Sequence, residues 1–529
     1  MHPAPRASTT IHPGKPAARP PALLYAALFV ILGVTAFLWL GLAVAADPGV
    51  QAALAGIPGA DGQPPSLIMA FLTQFGIAMP LLLVGLGAGA LWLGLRLLRQ
   101  DIVAGRWAQT ALVWLAAGAF VVALAGAVDV FVPLLSTAGS PLANADLVTP
   151  GGALVIGLLL LLAWWWLRGN VERVFSGREQ LCQREARVAW NLLIPTLAVF
   201  VFVAARPLEQ TFIRSLTDKR FASPVVPNFV GLQNYQDLLG VRVDTTGCRM
   251  DAATGACATR PDGAIRWESI DREALKAGYR TVWNVPLPRR DPPQSLAISG
   301  RDADFIQSIA TTLVFVAFSV TLELILALFM ALTVNSSFRG RGMMRAVMLI
   351  PWAIPTVISA RLWELMLKDT GAGIINRALL DLGLITAPQA WLSNVSLQLP
   401  AVILVDVWKT APFMALLLLA GLQSISKDLY EAASVDGASV VRRFFSITLP
   451  LLRPTIAVAL VFRTLDALRV FDLFNVLFGR QKLSMATYNY EVLVNNQQDG
   501  YASAISIILF LLISIFAFVY VRMLNVETD

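Results

Sequence analysis

Residues 430–454 read YEAASVDGASVVRRFFSITLPLLRP and lie between two long apolar segments. Just before them, Ser426 can cap the N-terminus of a helix through its side-chain oxygen. Gly437 can adopt the left-handed conformation that commonly ends a helix, and Ser439 can cap the helix that follows. The stretch therefore predicts two short helices joined at a fixed corner.

The charges of this stretch indicate what it contacts. A pair of surface helices with small alanines and a fixed corner suits insertion into a groove of a partner protein. The alternative is an amphipathic helix that lies on the membrane surface. That alternative accounts for Arg442 and Arg443 but not for Glu431 and Asp436, because anionic lipid repels acidic side chains. The pattern favours a protein-docking element.

The composition places most of the chain in a membrane. Of its 529 residues, 57% are hydrophobic and only 14% are charged, whereas an average soluble domain has about 25% charged residues. A helix needs roughly 20 apolar residues to cross a bilayer, and we assign ten such segments: 22–46, 66–95, 107–133, 150–167, 188–205, 305–334, 346–367, 399–421, 455–478 and 503–524. We expect an all-α polytopic membrane protein of about ten transmembrane helices with a small extracytoplasmic domain.

Basic residues are concentrated beside the membrane segments on one side. If the N-terminus is cytoplasmic, the cytoplasmic loops contain Arg96, Arg99, Arg106, Arg168, Arg173, Arg178, Arg184, Arg187, Arg339, Arg341, Arg345, Lys427, Arg442, Arg443 and Arg453. The opposite loops, 47–65 and 134–149, contain no Lys or Arg. This distribution predicts a multi-pass protein of the plasma membrane, the inner membrane of a bacterium, with both termini cytoplasmic. Membrane orientation explains the net charge of +7 better than nucleic-acid binding does.

The polar stretches divide the chain into segments. Residues 1–21 are rich in proline and are predicted to be a disordered cytoplasmic tail. Residues 22–187 form a predicted four-helix extension, and residues 188–529 form the predicted core. Within the core, 206–304 is an expected extracytoplasmic domain and 424–450 contains the two cytoplasmic helices. The first apolar segment exceeds the roughly 7–15 residues of a signal-peptide core, so we expect an uncleaved anchor.

The cysteines and histidines give no sign of a metal or catalytic site. Both histidines, His2 and His12, lie in the N-terminal tail, and no cysteine pair has C-x-x-C spacing. Cys248 and Cys257 fall in the predicted extracytoplasmic domain, where a disulfide is favoured over two free thiols. We expect no metal site and no catalytic residue in this chain.

The opening stretch is also where the sequence resembles a known family. An EAA triplet, a glycine and an I-T-L-P tetrapeptide at fixed spacing resemble the EAA loop of ABC-importer permeases, and Glu431, Ala432, Ala433, Gly437, Ile447, Thr448, Leu449 and Pro450 match it. Further segments resemble the maltose-type, carbohydrate-importing branch: 229–239, 338–357, 406–425, 462–472 and 500–511. The R-T-L-D-A pattern is most similar to trehalose/maltose or α-glucoside permeases. The resemblance covers roughly 188–524 and leaves the four N-terminal spans without an assigned role.

The resemblance implies a coupling role for the two cytoplasmic helices. They would dock into a cleft of an ATP-hydrolysing subunit, and the residues involved would be Glu431, Ala432, Ala433, Asp436, Gly437, Phe444 and Phe445. The sequence has no GxxxxGK[ST] phosphate-binding loop, so ATP and Mg²⁺ would bind to partner subunits and this chain would not be an enzyme. The implied partners are a second permease subunit, two ATPase subunits, an extracytoplasmic substrate-binding protein, membrane lipid and a sugar, but no nucleic acid.

Charged residues inside the last spans suggest a polar path for substrate. Side chains at 406, 409, 410 and 413 share one helical face, and in the related permeases substrate contacts come from this helix and the next. By position these contacts fall on Asp406, Lys409, Thr410, Phe413, Arg463, Asp466 and Val470. The alternative is an ion ladder, in which Arg463, Asp466, Arg469 and Asp472 pair in sequence and only pack subunits together.

Other functions remain open at this point. An ion-coupled secondary transporter would use the intramembrane Asp and Arg residues to carry ions, but it leaves the EAA loop unexplained. An ABC permease could also carry a non-sugar solute such as a polyol or glycerol phosphate. A membrane-embedded enzyme would need a His ligand set or a nucleophile–base pair, and the only histidines are in the tail.

Overall fold

A computed structural model describes residues 20–56, 66–136, 148–175, 179–223, 225–251, 256–259, 264–288 and 293–523. The predicted tail lies outside these residues except for its last two positions, which begin the first helix, and both histidines lie outside them too. The chain divides into two compact units, Met1–Gln210 and Thr211–Asp529. The helix predicted to begin the core, 188–205, therefore belongs to the first unit, which differs from the boundary that the sequence suggested.

Among its described residues, the first unit contains five long helices and two short ones, and it ends within a third short helix. They are α1 (Pro20–Ala46), α2 (Pro48–Leu54), α3 (Leu67–Phe75), α4 (Ala78–Leu97), α5 (Ile102–Ser136), α6 (Val148–Val174) and α7 (Leu181–Val199), which continues through a π-helical turn, Phe200–Ala205, into α8 (Arg206–Ser215). Helix α1 packs against α4, and α5 packs against α6. The hydroxyl of Tyr25, a buried residue of α1, donates to the Ala163 carbonyl of α6 at 2.8 Å, so this polar group is satisfied.

The second predicted span, 66–95, is not one continuous helix. It breaks between α3 and α4, where Gly76 has a φ of +67°. The Arg206 guanidinium donates to the carbonyls of Phe75 (2.6 Å) and Gln74 (3.2 Å), and the Glu209 carboxylate accepts from the Ile77 amide. The cation meets the free carbonyls that end α3 and the anion meets the free amide that begins α4, so both charges favour the break.

The second unit begins with a small mixed domain. It contains α9 (Gln233–Leu239), β1 (Val241–Gly247), α10 (Arg272–Lys276), β2 (Arg280–Pro286) and β3 (Gln294–Gly300). The strands form an antiparallel sheet in the order β1-β3-β2, with Val241 opposite Gly300 in the first pair. Cys248 and Cys257 are joined by a disulfide next to β1. This domain occupies the predicted extracytoplasmic segment.

The remaining elements are mainly membrane helices. They are α11 (Ala303–Asn335), α12 (Arg341–Met348), α13 (Ile350–Ala353), α14 (Thr356–Met366), α15 (Ile374–Asp381), α16 (Val395–Gln423), α17 (Lys427–Val435), α18 (Val440–Arg443), α19 (Leu449–Ala467), α20 (Asp472–Leu477), α21 (Met485–Tyr490) and α22 (Asp499–Met523). Single π-helical turns, Phe444–Thr448 and Glu491–Asn495, precede α19 and α22 respectively. Helix α11 packs along α16, and both contact α19.

The predicted membrane class is confirmed. Among the described residues, nine helices are long and apolar enough to cross a bilayer, and the number is ten if the bent pair Arg341–Ala353 and Thr356–Met366 is one span. These two halves meet at 89°. Pro355 accounts for the bend, because it disfavours a helical conformation at Ile354 and has no amide hydrogen to donate.

The predicted ninth span, 455–478, was wrong at its C-terminal end. Helix α19 stops at Ala467, and the chain turns before α20 begins at Asp472. The Val470 carbonyl in this turn accepts a hydrogen bond from the Ser484 hydroxyl at 2.7 Å. Helix α20 then packs against α14 and α16, where Leu473, Phe474 and Leu477 are buried. Burial of these apolar side chains on tertiary partners outweighs continuation of the helix.

Candidate functional site

The elbow, residues 427–448, consists of α17, a corner, α18 and the π-helical turn. Ser426 caps α17, since its hydroxyl oxygen accepts from the Asp428 amide at 3.3 Å. At the other end Gly437 has a φ of +77°, its amide donates to Ser434 (3.1 Å), and the Ala438 amide donates to Ala433 (2.9 Å). This pair of bonds is a Schellman motif, which fixes the corner and requires a left-handed residue.

The corner is held by side chains from both arms of the elbow. Ser439 accepts from the Arg442 amide at 3.3 Å and caps α18. Arg443 donates to the Ser434 hydroxyl at 2.6 Å, which joins the second arm to the first. The Tyr430 and Thr448 hydroxyls are 3.0 Å apart and join α17 to the residue that precedes α19. The elbow is therefore a braced unit attached to the start of α19.

The elbow presents both charge and apolar surface. Glu431, Ala432, Asp436 and Gly437 are exposed, and no ion pair involves Glu431 or Asp436 within the described part of the chain. Ala433 and Phe444 are half-buried, and Phe444 packs edge-on against the exposed Phe445 with ring centroids 5.0 Å apart. The elbow also exposes the apolar side chains Val435, Val440 and Val441. Exposed apolar residues beside free charges are typical of a protein-docking surface.

The polar face of α16 is turned towards other helices. The Lys409 ammonium donates to the Ile354 carbonyl at 2.5 Å, at the bend between α13 and α14. Thr410 donates to the Asp406 carbonyl of its own helix at 2.6 Å. Phe413 stacks on Trp352 with ring centroids 4.8 Å apart. In this conformation each of these three side chains has a protein partner, and their role as substrate contacts stays a prediction.

The buried cluster around Arg463 joins three helices. We call Ser319, Glu323, Asp406, Arg463 and Asp466 the Arg463 cluster. The guanidinium pairs with Glu323 of α11 through Nε–Oε2 and through Nη2–Oε1 (2.9 Å), and Nη2 also donates to Asp406 of α16. The Ser319 hydroxyl, which has one hydrogen to donate, lies within hydrogen-bonding distance of both Glu323 (2.7 Å) and Asp406. Breaking such a buried pair typically costs about 3–5 kcal/mol, because a charge is left uncompensated.

The cluster has one accessible member. Arg463 Nη1 donates to Asp466 Oδ2 at 2.9 Å, and the exposed fractions of the two side chains are 8% and 66%. The ion ladder proposed from the sequence is present only in this first pair. Helix α19 ends before Arg469, and no ion pair joins Asp466 to Arg469 or Arg469 to Asp472. The backbone carbonyl of Val470, in the turn after α19, accepts a hydrogen bond from the Ser484 hydroxyl.

The sequence predicts a hydrogen bond between helices for Glu323 but does not identify its partner. The Glu323 side chain is fully buried in α11, 140 residues from the arginine that it binds. A buried Glu in an apolar segment signals a polar partner elsewhere in the membrane, but the spacing along the chain does not identify that partner. No group of His, Cys, Asp and Glu suited to a metal ion occurs among the residues that the structure describes.

Comparison with known sequences places this arrangement among membrane transport components. Residues 323–526 match the family described as "Binding-protein-dependent transport system inner membrane component". The trehalose/maltose transport system permease protein MalF of Thermococcus litoralis is 49% identical over 356 residues, which are 66% of this chain and 98% of that protein. The trehalose transport system permease protein SugA of Mycobacterium tuberculosis is 32% identical over 341 residues, 64% of this chain and 89% of that protein.

Solved structures are also similar to this chain. One is a crystal structure of a bacterial alginate ABC transporter in complex with an alginate pentasaccharide-bound periplasmic protein. It is 21% identical to this chain, with a TM-score of 0.46, and the match covers 66% of this chain and 99% of the matched chain.

Proposed function

The chain belongs to the family of binding-protein-dependent transport system inner membrane components, the permease subunits of ABC importers, and we propose that it carries a di- or oligosaccharide of the trehalose/maltose type. Two similar proteins, from T. litoralis and M. tuberculosis, are trehalose/maltose and trehalose permeases by name. A sulfoquinovosyl glycerol permease and an sn-glycerol-3-phosphate permease are similar over shorter parts of the chain. The longer matches therefore favour the disaccharide over a glycerol-linked solute.

The exposed elbow is the observation that carries the proposed mechanism. Its corner is fixed by a Schellman motif, its acidic tip has no ion pair within the described residues, and it leads directly into α19. Such a surface suits docking into a cleft of an ATPase subunit, with Glu431 and Asp436 offered to partner Arg or Lys side chains. ATP and Mg²⁺ would be bound by that subunit, so nucleotide hydrolysis is not assigned to this chain.

The remaining partners follow from the same proposal. The chain would form the translocation path with a second permease and bind two ATPase subunits in the inner membrane, with both termini cytoplasmic. The α9–β3 domain would then lie outside the cytoplasm. It is the proposed docking element for a substrate-binding protein, and its disulfide suits that compartment.

The substrate path is proposed to pass the exposed side of the Arg463 cluster. Asp466 offers a carboxylate to sugar hydroxyls, and Phe413 and Thr410 are half-buried on the neighbouring helix. Asp406, Lys409 and Arg463 are buried and pair with protein groups. We propose that they hold the side chains that line the path in place. Val470 is half-buried in the turn that follows α19.

Transport by the reconstituted complex tests this function. The permease would be purified with its ATPase subunits, placed in liposomes with the binding protein outside, and supplied with internal ATP and radiolabelled trehalose, maltose, sucrose or glycerol 3-phosphate. We expect ATP-dependent uptake of a disaccharide. Equal uptake without ATPase subunits would indicate an ion-coupled transporter, and uptake of glycerol phosphate alone would replace the sugar assignment.

A further inference from the structure

The Arg463 guanidinium uses four of its five N–H donors to bind three carboxylates of different exposure. Its contacts with Glu323 and Asp406 are buried on the side that faces α11 and α16, and its contact with Asp466 points to the open side. The exposed fractions are 0% for Glu323, 6% for Asp406 and 66% for Asp466. The one remaining donor, the second N–H of Nη1, belongs to a side chain that is only 8% exposed, so Asp466 is far more accessible to a substrate than Arg463, although the sequence places both among the substrate contacts.

Asp466 lies where its own helix gives it little support. It occupies the last turn of α19, and the chain leaves the helix after Ala467. A side chain that is 66% exposed can occupy several rotamers unless a partner holds it. The bond from Arg463 Nη1 to Asp466 Oδ2 is the one ion pair that the described residues provide for this carboxylate. The orientation of Asp466 therefore depends on how firmly Arg463 is held.

We infer that Glu323 and Asp406 are positioning residues, which fix Arg463 so that it orients the Asp466 carboxylate towards the hydroxyl groups of the sugar. This inference rests on the proposed function and assigns the sugar contact to Asp466 rather than to Arg463. Oδ2 is bound to the arginine at 2.9 Å, and Oδ1 has no hydrogen-bond partner among the described residues. An oxygen in this state can accept from adjacent sugar hydroxyls.

The bidentate geometry explains why an arginine is used here. Glu323 binds Nε and Nη2 of the same guanidinium plane, so the plane cannot rotate without breaking both bonds. Asp406 adds a bond to Nη2, and Ser319 bridges the two supporting carboxylates. Only Nη1 remains for Asp466, so its direction is fixed by α11 and α16 together.

A double-mutant cycle separates positioning from simple structural support. Asp466→Asn and Glu323→Gln are each expected to lower the sugar transport rate per assembled complex by about tenfold, the scale of one hydrogen bond to a charged group. If Glu323 acts through Asp466, the double variant should be no slower than Asp466→Asn alone. Glu364→Gln, which breaks the exposed Arg361–Glu364 pair (2.7 Å) on α14, is the matched control and should transport normally.

Each result decides the inference. Losses that multiply to about a hundredfold in the double variant would make Glu323 an independent structural residue and overturn it. If Glu323→Gln does not assemble, the cycle is run with Asp406→Asn, which leaves the bidentate Glu323–Arg463 pair in place. Failure of both variants to assemble would assign the cluster a purely structural role. Normal transport by Asp466→Asn would remove the sugar contact but keep the proposed function, whereas that function fails only if the unmodified complex does not import the sugar.

Discussion

The corner of the elbow can be tested by a substitution that changes backbone strain alone. Gly437 has a φ of +77°, and a Cβ atom added there would meet no atom within 4 Å. Gly437→Ala therefore adds no steric clash but places a side chain in the left-handed region, at a cost of about 1–2 kcal/mol. Helix α17 has nine residues and none is buried, so in isolation it is marginally stable and this cost can be released by local unfolding.

The magnitude of the effect follows from this local equilibrium. A ligand that binds only the folded elbow loses affinity in proportion to the folded fraction. A cost of about 1–2 kcal/mol corresponds to a loss of up to roughly 5- to 30-fold in affinity for the ATPase subunit. Asparagine tolerates the left-handed region, so Gly437→Asn should lose much less. Gly383→Ala has the same backbone strain (φ +68°) in a loop outside the elbow and is a second control.

The assay is a titration of the ATPase subunit onto the permease in nanodiscs, followed by the ratio of ATP hydrolysed to sugar imported. We expect weaker binding and a higher ratio for Gly437→Ala, and values close to those of the unmodified protein for Gly437→Asn and Gly383→Ala. If Gly437→Ala matches the unmodified protein in both measurements, the elbow does not need its left-handed corner to dock. If all three variants are impaired alike, general strain explains the result.

Three further substitutions test other contacts. Glu431→Lys reverses the charge at the elbow tip and should abolish coupled transport at normal expression. Glu185→Lys makes an equal charge change at another exposed site and should transport normally. Equal transport by the two variants would contradict the docking role. Lys409→Met removes the donor to the Ile354 carbonyl at the bend before α14. It should lower the free energy of unfolding by about 1–3 kcal/mol, and with it the thermal unfolding midpoint in detergent. An unchanged midpoint would count against the contact. Gly76→Ala combines a positive φ with a Cβ only 2.9 Å from a carboxylate oxygen and should lower the free energy of unfolding. Gly89→Ala meets open space inside α4 and should leave that free energy unchanged or raise it by about 0.5–1 kcal/mol. A Gly76→Ala variant more stable than the Gly89→Ala variant would refute this account.

Local features of the sequence were sufficient for the approximate positions of the membrane spans and for the local structure of the elbow. Span positions depend on runs of apolar residues, which are read directly from the sequence. The elbow depends on Ser426, Gly437 and Ser439, and all three take the predicted capping or corner roles. Each of these interactions joins residues within a few positions of one another, so the residue types determine the local structure.

The contacts inside the membrane could not be derived in the same way. Glu323 binds Arg463 across 140 residues, and the second span breaks where Arg206 and Glu209, more than 130 residues away, satisfy its free backbone groups. The early end of α19 likewise depends on Ser484 and on burial of α20. In the two interrupted spans, contacts with other elements outweigh the local preference for a continuous helix. For Glu323 the sequence identifies the polar residue but not its partner.

The elbow and the Arg463 cluster lie at opposite ends of one helix. Helix α19 begins at Leu449, directly after the elbow, and Asp466 lies in its last turn. Its 19 residues span about 28 Å, close to the thickness of the hydrocarbon core. Since Arg463 fastens the far end to α11 and α16, a displacement of the elbow that leaves α11 and α16 in place tilts α19 about that buried attachment or breaks it. The attachment would cost several kcal/mol to break, so tilting requires less energy, and it changes the direction in which Asp466 points.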